Sequence, residues 1–164
     1  MSEMEDAWKR VLGAFDDWIY YETSEFGPWT SYFNMENLHE LTESQRLGWM
    51  YNMRDVVIPG RVDKCREAGV ALEDFLPYMP DVDTIQVVQS MLDLALRIQD
   101  GILHMSDAFD MMIEEYQKGG LEDIGSALQA IAESEEDIRH YMSMFSQGFG
   151  RLKSLGLDLP EDLQ

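Results

Sequence analysis

A long helical pattern between Asp83 and Lys118 constrains the fold more than any other feature of the sequence. Along it, mostly apolar residues recur three and four positions apart on two separate lines, which is the repeat of an α-helical face. The first seam is Ile85, Val88, Leu92, Ala95, Gln99, Ile102, Ser106, Phe109, Ile113 and Tyr116, and the second is Val87, Met91, Leu94, Ile98, Gly101, Met105, Ala108 and Met112. A helix with two apolar seams has to be covered on two sides, which is typical of a helical bundle.

A second long pattern follows after a predicted turn at Gly119-Gly120 and covers residues 121–155. Its seam is Ile124, Leu128, Ile131, Glu135, Ile138, Met142, Phe145, Phe149 and Leu152. The two patterns predict a hairpin of long helices in which the numbers of facing residues sum to about 239. Glu135 is therefore expected at the level of His104.

The N-terminal half carries the start signals of two shorter helices. Ser2 is followed three residues later by Glu5, and Thr42 by Gln45, and each pair is a capping box. Pro59-Gly60 predicts a break after the second helix. The expected segments are helix 1 over 2–22, an aromatic loop over 23–41, helix 2 over 42–58, a short helix over 61–69, helix 3 over 83–118 and helix 4 over 121–155. We therefore predict one all-α domain over 1–164, an antiparallel four-helix-type bundle whose two long C-terminal helices form a hairpin beside two shorter N-terminal helices.

The length of this hairpin predicts an oligomer. Thirty-five helical residues run roughly 52 Å, whereas a compact domain of this size is about 40 Å across. The hairpin should then extend beyond its shorter companions, and an uncovered apolar seam favours contact with another chain. A homodimer through one of the two seams between Ile85 and Tyr116 is the expected result, with Met105 as an exposed seam residue.

The charge balance limits the classes of partner. The chain has 32 acidic and 12 basic side chains, which gives a formal charge of −20 at pH 7. Direct binding to nucleic acid or to an anionic membrane is not expected, because phosphate contacts need clustered Lys and Arg. Residues 41–80 are nearly neutral, and their basic side chains are expected to neutralise acids elsewhere in the fold or in a partner. These side chains include Arg54, Arg61, Lys64 and Arg66.

The expected localisation rests on three absences in the sequence. No apolar run approaches the ~18 residues of a membrane span, and the acidic start of the chain differs from a signal peptide. The single cysteine, Cys65, excludes an internal disulfide and a thiolate-rich zinc site, and it is expected to be an inert thiol. We therefore expect a cytoplasmic protein.

One set of side chains favours a metal site in the hairpin. Glu135 interrupts an apolar seam at the level of His104, while Asp100 and His140 lie about one helical turn further along. Carboxylate and imidazole groups are ligands of Zn²⁺, Mn²⁺ and Fe, so these four residues are the candidate metal ligands. The alternative is a structural pair, in which His104 neutralises an otherwise unpaired carboxylate in the bundle.

Aromatic residues are concentrated in the first third of the chain. Eleven of the 18 aromatic side chains lie within residues 1–51, and four of them surround Gly27-Pro28. These four are Phe26, Trp29, Tyr32 and Phe33. Three interpretations stay open: a cap over one end of the core, a patch that binds a protein partner, or a cage for a cationic ligand beside Glu22, Glu25 and Glu36.

Catalytic signatures are absent from the sequence, which has no P-loop or Rossmann glycine motif, no nucleophile elbow and no His-Glu-x-x-His. We therefore expect a non-enzymatic interaction module, adaptor or regulator that binds a protein partner and needs no cofactor. One alternative is a metal-binding bundle with Zn, Mn or Fe, of a di-iron-like kind because Glu36 and His39 have the Glu-x-x-His spacing. Another alternative is an acidic mimic of DNA that inhibits a nucleic-acid-binding protein.

Overall fold

The computed structural model describes residues 2–156, and helical segments make up 91% of it. No strand occurs in the described residues, so the prediction of an all-α protein is confirmed. The helical segments of five or more residues are α1 (Glu3–Tyr21), a first π segment (Glu22–Phe26), a 3₁₀ segment (Gly27–Tyr32), α2 (Met35–His39), α3 (Glu43–Asn52), a second π segment (Met53–Val57), α4 (Ile58–Phe75), α5 (Val82–Gly119), α6 (Gly125–Ser143) and α7 (Phe145–Ser154). Within 2–156, none of them combines the length and the apolar content that crossing a bilayer requires.

Side-chain caps set the starts of the main helices. The hydroxyl groups of Ser2 and Thr42 each accept the backbone N–H three residues further on, as the sequence predicts. α5 begins at Val82, slightly earlier than predicted, because the carboxylate of Asp81 accepts the N–H of Thr84 at 2.8 Å. The start of α5 is therefore determined by a cap that lies outside the apolar pattern.

The predicted break at Pro59-Gly60 is not observed, and residues 43–75 form one continuous run, the α3–α4 run. In the second π segment, the N–H of Ile58 donates to the carbonyl of Met53, five residues back, so the helix holds one extra residue there. Pro59 then falls in the first turn of α4, where no backbone N–H is required. Gly69, the predicted end of the short helix, lies inside α4 and faces Ala95 of α5, at a distance where an added Cβ would make an ordinary contact.

The predicted aromatic loop over 23–41 is also helical, in short pieces. α1 continues directly into the first π segment, where the N–H of Gly27 donates to the carbonyl of Glu22. Glu22 and Phe26, at the two ends of this segment, are both buried. The side chain of Asn34 then caps α2. A π segment, a 3₁₀ segment and α2 therefore fill most of the predicted loop, and the second π segment replaces the predicted break.

The predicted helix over 121–155 is divided at Met144 into α6 and α7. The hydroxyl of Ser143 donates to the carbonyl three residues earlier at 2.6 Å, and such a bond competes with the helical backbone. Beyond this point Phe145 packs edge-on against Phe15 of α1, with ring centroids 4.9 Å apart. The division of the helix thus lets its last part contact α1 as well as α5.

α5 lies at the centre of the packing, because α3, α4, α6 and α7 all contact it, while α1 packs on α4. Every residue of its two seams is buried or half-buried within the single chain, and Met105, the predicted exposed seam residue, is completely buried. The reason is the α3–α4 run, which at roughly 50 Å is far longer than either predicted short helix. The seams therefore need no second chain to cover them, and the homodimer stays a prediction.

Candidate functional site

Arg61, at the start of α4, is the most highly connected polar side chain of the interior. It is 0% exposed, and its Nε and Nη2 atoms each donate to a different Glu22 carboxylate oxygen at 2.7 Å. Its Nη1 donates to Glu135 at 2.9 Å, and its guanidinium carbon lies 3.8 Å from the centre of the Phe26 ring. α4, α6 and the first π segment therefore meet at one guanidinium group.

Glu22, Arg61, Glu135 and Arg139 form what we call the Arg61 cluster, in which the charges balance. Glu22 also accepts from the indole N–H of Trp18 at 3.3 Å, and Glu135 accepts from Arg139 at 2.6 Å. Burial acts to lower the pKa of Arg61, but the hydrogen bonds and charges of the two carboxylates outweigh it and hold that pKa above its usual value. The guanidinium stays charged, and the cluster has the properties of a structural ion network.

The predicted pair of Glu135 with His104 is not formed, because both oxygens of Glu135 bind arginines. Asp100, His104 and His140, the other predicted metal ligands, have exposed side chains. Among residues 2–156, no group of three or more His, Cys, Asp or Glu is placed to hold a metal ion. A site for Zn, Mn or Fe at these four residues stays a prediction, and it would have to displace the arginines from Glu135.

A different kind of site lies between the 3₁₀ segment and α3. It is an open cleft of about 490 Å³, which we call the aromatic cleft. The lining residues are Trp29, Tyr32, Leu41, Gln45, Gly48, Trp49 and Asn52. Three aromatic rings and two primary amides therefore face this space, and no charged side chain belongs to the lining.

Trp49 is the one buried member of this lining, at 4% exposed. Its ring packs against Tyr32 and Phe109, with centroids 5.8 and 5.4 Å away. Its Nε1–H finds no hydrogen-bond acceptor within the described residues. Buried donors are almost always paired, and leaving one unpaired costs about 1–3 kcal/mol. A residue that lines the cleft therefore holds a buried donor without an acceptor.

Hydrogen bonds hold the walls of the aromatic cleft in place. Arg46 of α3 donates from Nε to the carbonyl of Leu38 at 2.7 Å and from Nη2 to that of His39 at 2.9 Å. Asn37 of α2 donates from Nδ2 to the carbonyl of Ser31 at 2.7 Å. These bonds tie the 3₁₀ segment to α2 and α2 to α3, so the cleft is pre-formed.

The four predicted aromatic residues divide between the cleft and the core. Trp29 and Tyr32 line the aromatic cleft. Phe26 lies on Arg61, and Phe33 packs 6.1 Å from the Phe109 ring, so both phenylalanines attach the segment to the core. None of the three glutamates proposed for a cationic cage lines the cleft.

Two residues of these sites were not singled out from the sequence as site residues. Arg61 is recognisable because it lies between Ile58 and Cys65 on an apolar face of α4, where an unpaired charge is costly. Trp49 is recognisable only as one more aromatic residue of the second helix, and nothing in the sequence indicates that its N–H lacks an acceptor. Comparison with protein-family models, with curated proteins and with solved structures found no match to this chain, so the geometry alone carries the functional inference.

Proposed function

We propose that the protein is a non-enzymatic interaction module whose aromatic cleft binds an uncharged, proline-rich segment of a partner protein. The observation that carries this proposal is the buried indole N–H of Trp49, which has no acceptor within the described residues. This N–H is enclosed, so a ligand reaches it after a shift of the side chains that cover it, and a peptide carbonyl placed against it would then remove the cost of the unpaired donor. Binding would thus form a hydrogen bond at the Trp49 N–H, and no existing hydrogen bond of that N–H would have to break.

The chemistry of the lining supports a proline-rich ligand. Polyproline II helices have no internal hydrogen bonds, so their carbonyl groups are free to accept, and their rings fit aromatic-lined grooves. Trp29, Tyr32 and Trp49 supply the rings, and the amide groups of Gln45 and Asn52 supply further donors. A strongly charged ligand would find no opposite charge in this lining.

We further propose that the scaffold behind the cleft is an antiparallel four-helix-type bundle. Its members are α1, the α3–α4 run, α5 and the α6–α7 pair. The order of contacts along α5 supports this arrangement, since Gly101 faces Ile138 whereas Met91, earlier in α5, faces Gly148, later in the chain. Such a scaffold would hold the cleft rigidly at one place on its surface.

The proposal is tested by titrating the protein with a peptide of about ten prolines, followed by calorimetry and by NMR of the indole N–H groups. Saturable binding with a shift of the Trp49 indole signal is expected. Trp49→Phe keeps an aromatic ring but removes the donor, and we expect it to weaken binding about tenfold.

Tyr51→Phe is the matched control, because the Tyr51 hydroxyl accepts from Gln117 at 2.6 Å and does not line the cleft. This variant should bind as the unaltered protein does. Absence of saturable binding at millimolar peptide, or equal affinity of Trp49→Phe and the unaltered protein, would contradict the proposal.

A further inference from the structure

A second cleft, of about 430 Å³, lies between α5 and α7, and we call it the α5–α7 groove. Side chains of both helices line it, and its apolar part includes Val87, Met91 and Met144. Arg97 of α5 and Arg151 of α7 belong to the same lining. The groove thus combines an apolar surface with two guanidinium groups.

Two arginines at one groove are unusual in a chain with 32 acidic and only 12 basic side chains. Four of the eight arginines, those of the Arg61 cluster together with Arg54 and Arg66, form ion pairs with carboxylates within the described residues, whereas Arg10 and Arg46 do not. Arg97 and Arg151 form none within the described residues, and Arg97 lies over the Tyr141 ring at 5.9 Å. The single acid of the lining is Asp93, so the lining carries a net charge of +1 on a protein whose formal charge is −20.

The two arginines stand at opposite ends of the groove. Arg97 lies at the level of Tyr141, close to the end of α6. Met91 lies against Gly148, where an added Cβ would be 2.6 Å from the Met91 Cγ. Arg151 is three residues beyond Gly148, which places it about nine residues, or roughly 14 Å, from Arg97 along the axis of α5.

We propose that the α5–α7 groove binds a linear ligand that has a carboxylate at each end and an apolar middle, as in a medium-chain dicarboxylate. The planar guanidinium group binds carboxylates through two parallel hydrogen bonds, so each arginine suits one end of such a ligand. The apolar lining between them suits the hydrocarbon part. Ser90 and Gln147, which also line the groove, lie between the two arginines in the same register.

Calorimetric titration with dodecanedioate, compared with dodecanoate, tests this proposal. We expect saturable binding of the dicarboxylate that is about tenfold tighter than that of the monocarboxylate, because only the former engages both arginines. Arg97→Gln and Arg151→Gln should each reduce the affinity for dodecanedioate to that of dodecanoate. The double variant should abolish binding, and Asp93→Asn should strengthen it by removing a like charge.

Arg10→Gln is the matched control, since Arg10 is exposed and does not line the groove. Trp49→Phe should likewise leave dodecanedioate binding unchanged, so this result is separable from the proposal for the aromatic cleft. Absence of saturable binding at millimolar dodecanedioate, equal affinity for the two ligands, or an equal loss in Arg10→Gln would overturn the assignment. Melting curves of each variant verify that the fold is retained.

Discussion

The Arg61 cluster and the lining of the aromatic cleft each contain a buried polar group, and only one of the two groups is fully paired. The Arg61 guanidinium, at 0% exposure, binds two carboxylates and packs on an aromatic ring, with a second arginine nearby. The indole N–H of Trp49, which is similarly buried, has no acceptor within the described residues. The cluster joins α4, α6 and the first π segment. The cleft lies beside α3, where Trp49 precedes Arg61 by twelve residues in the α3–α4 run. The same run of helix therefore carries a fully partnered polar group and an unpartnered one.

This difference separates groups that hold the fold from groups that can bind. Removing one member of a satisfied buried network leaves the other charges unpaired, so the effect falls on the free energy of unfolding. Altering an unpartnered donor removes no bond from the free protein, so the effect falls on affinity for a ligand that supplies the acceptor. Variants of the Arg61 cluster should therefore lower stability and leave affinity nearly unchanged, and variants of the aromatic cleft should do the reverse.

The largest expected effect is that of Arg61→Met on stability. The substitution leaves Glu22 and Glu135 facing each other without the central cation, and breaking a buried ion network in this way costs about 3–5 kcal/mol. Chemical denaturation followed by circular dichroism measures the loss. Affinity for the proline peptide should change little.

Arg66→Met is the control for this experiment, because Arg66 is exposed and pairs with Asp63 at 3.8 Å. It should change stability by less than about 1 kcal/mol. The triple variant Glu22→Leu, Arg61→Met and Glu135→Leu should recover most of the loss, since a buried ion network can be replaced by apolar side chains. Equal stability of Arg61→Met and Arg66→Met would contradict the comparison.

Trp29→Ala should show the reverse profile. Trp29 is a half-buried wall of the aromatic cleft, and loss of an aromatic anchor at an interface typically costs about 2 kcal/mol of binding free energy. Titration with the proline peptide measures this loss, and denaturation should show a smaller change than for Arg61→Met. Exposed Glu43→Gln is the control and should bind normally.

The same titration at low and high salt distinguishes the cleft from the acidic mimic of DNA. Binding in an uncharged cleft should be nearly independent of salt, whereas binding through exposed acids weakens steeply as salt screens them. A partner whose affinity falls steeply with salt, and which is indifferent to Trp29→Ala, would favour the mimic.

Cys65 should give a smaller effect that depends on pH. Burial raises the pKa of its thiol to about 12, and its Sγ donates to the carbonyl of Ala95 at 3.3 Å. The unfolded thiol ionises near 9.0, so the folded state keeps the proton longer and stability falls as pH rises from about 9 to about 12. By pH 10 the stability lost through this shift amounts to about 1 kcal/mol.

The measurement is the difference in unfolding free energy between pH 8 and pH 10 for the unaltered protein and for Cys65→Ala, which cancels other titrating groups. The variant should lose less stability over this interval. The native thiol should also react slowly with alkylating reagents at pH 8 and rapidly in denaturant. Fast alkylation of the native protein would show that Cys65 is not enclosed.

The smallest expected effect is that of metal ions. Because Arg61 and Arg139 hold Glu135, addition of Zn²⁺ or Mn²⁺ to chelator-treated protein should leave the melting temperature nearly unchanged. A clear rise that is lost in both His104→Ala and Glu135→Gln would instead establish the predicted metal site, since a ligand of the folded state raises its melting temperature.

Regular helices and their starts could be predicted from the sequence, because seams and capping side chains are local signals. The seams of α5 and the cap at Thr42 are examples. The partner of Glu135 could not be predicted by the same means. The position of Glu135 in an apolar seam indicates a buried charge. The hairpin register gives only the height of Glu135 along α5, and the residue predicted at that height is His104. The actual partner, Arg61, comes from a third helix whose facing side depends on the whole packing.

The two π segments and the unpaired donor of Trp49 could not be predicted from local sequence signals, for a different reason. A π turn differs from an α turn by one residue in the same hydrogen-bonded pattern, and composition alone does not distinguish them. Proline at position 59 indicates a break in an α-helix, and only the extra residue before it makes a continuous run possible. The state of a single indole N–H depends on neighbours distant in sequence.

The second π segment also has a consequence for how sequences of this fold can change in length. A π turn closes over one more residue than an α turn, so deleting one residue within 53–57 would restore a regular helix and leave α4 facing nearly as before relative to α3. Trp49 and Arg61 could then both keep their present surroundings, whereas a deletion elsewhere in the α3–α4 run would rotate everything after it by about 100°. The deletion within 53–57 would place Pro59 inside a regular helix, which costs about 3 kcal/mol, so this change in length should be accommodated once Pro59 is also replaced.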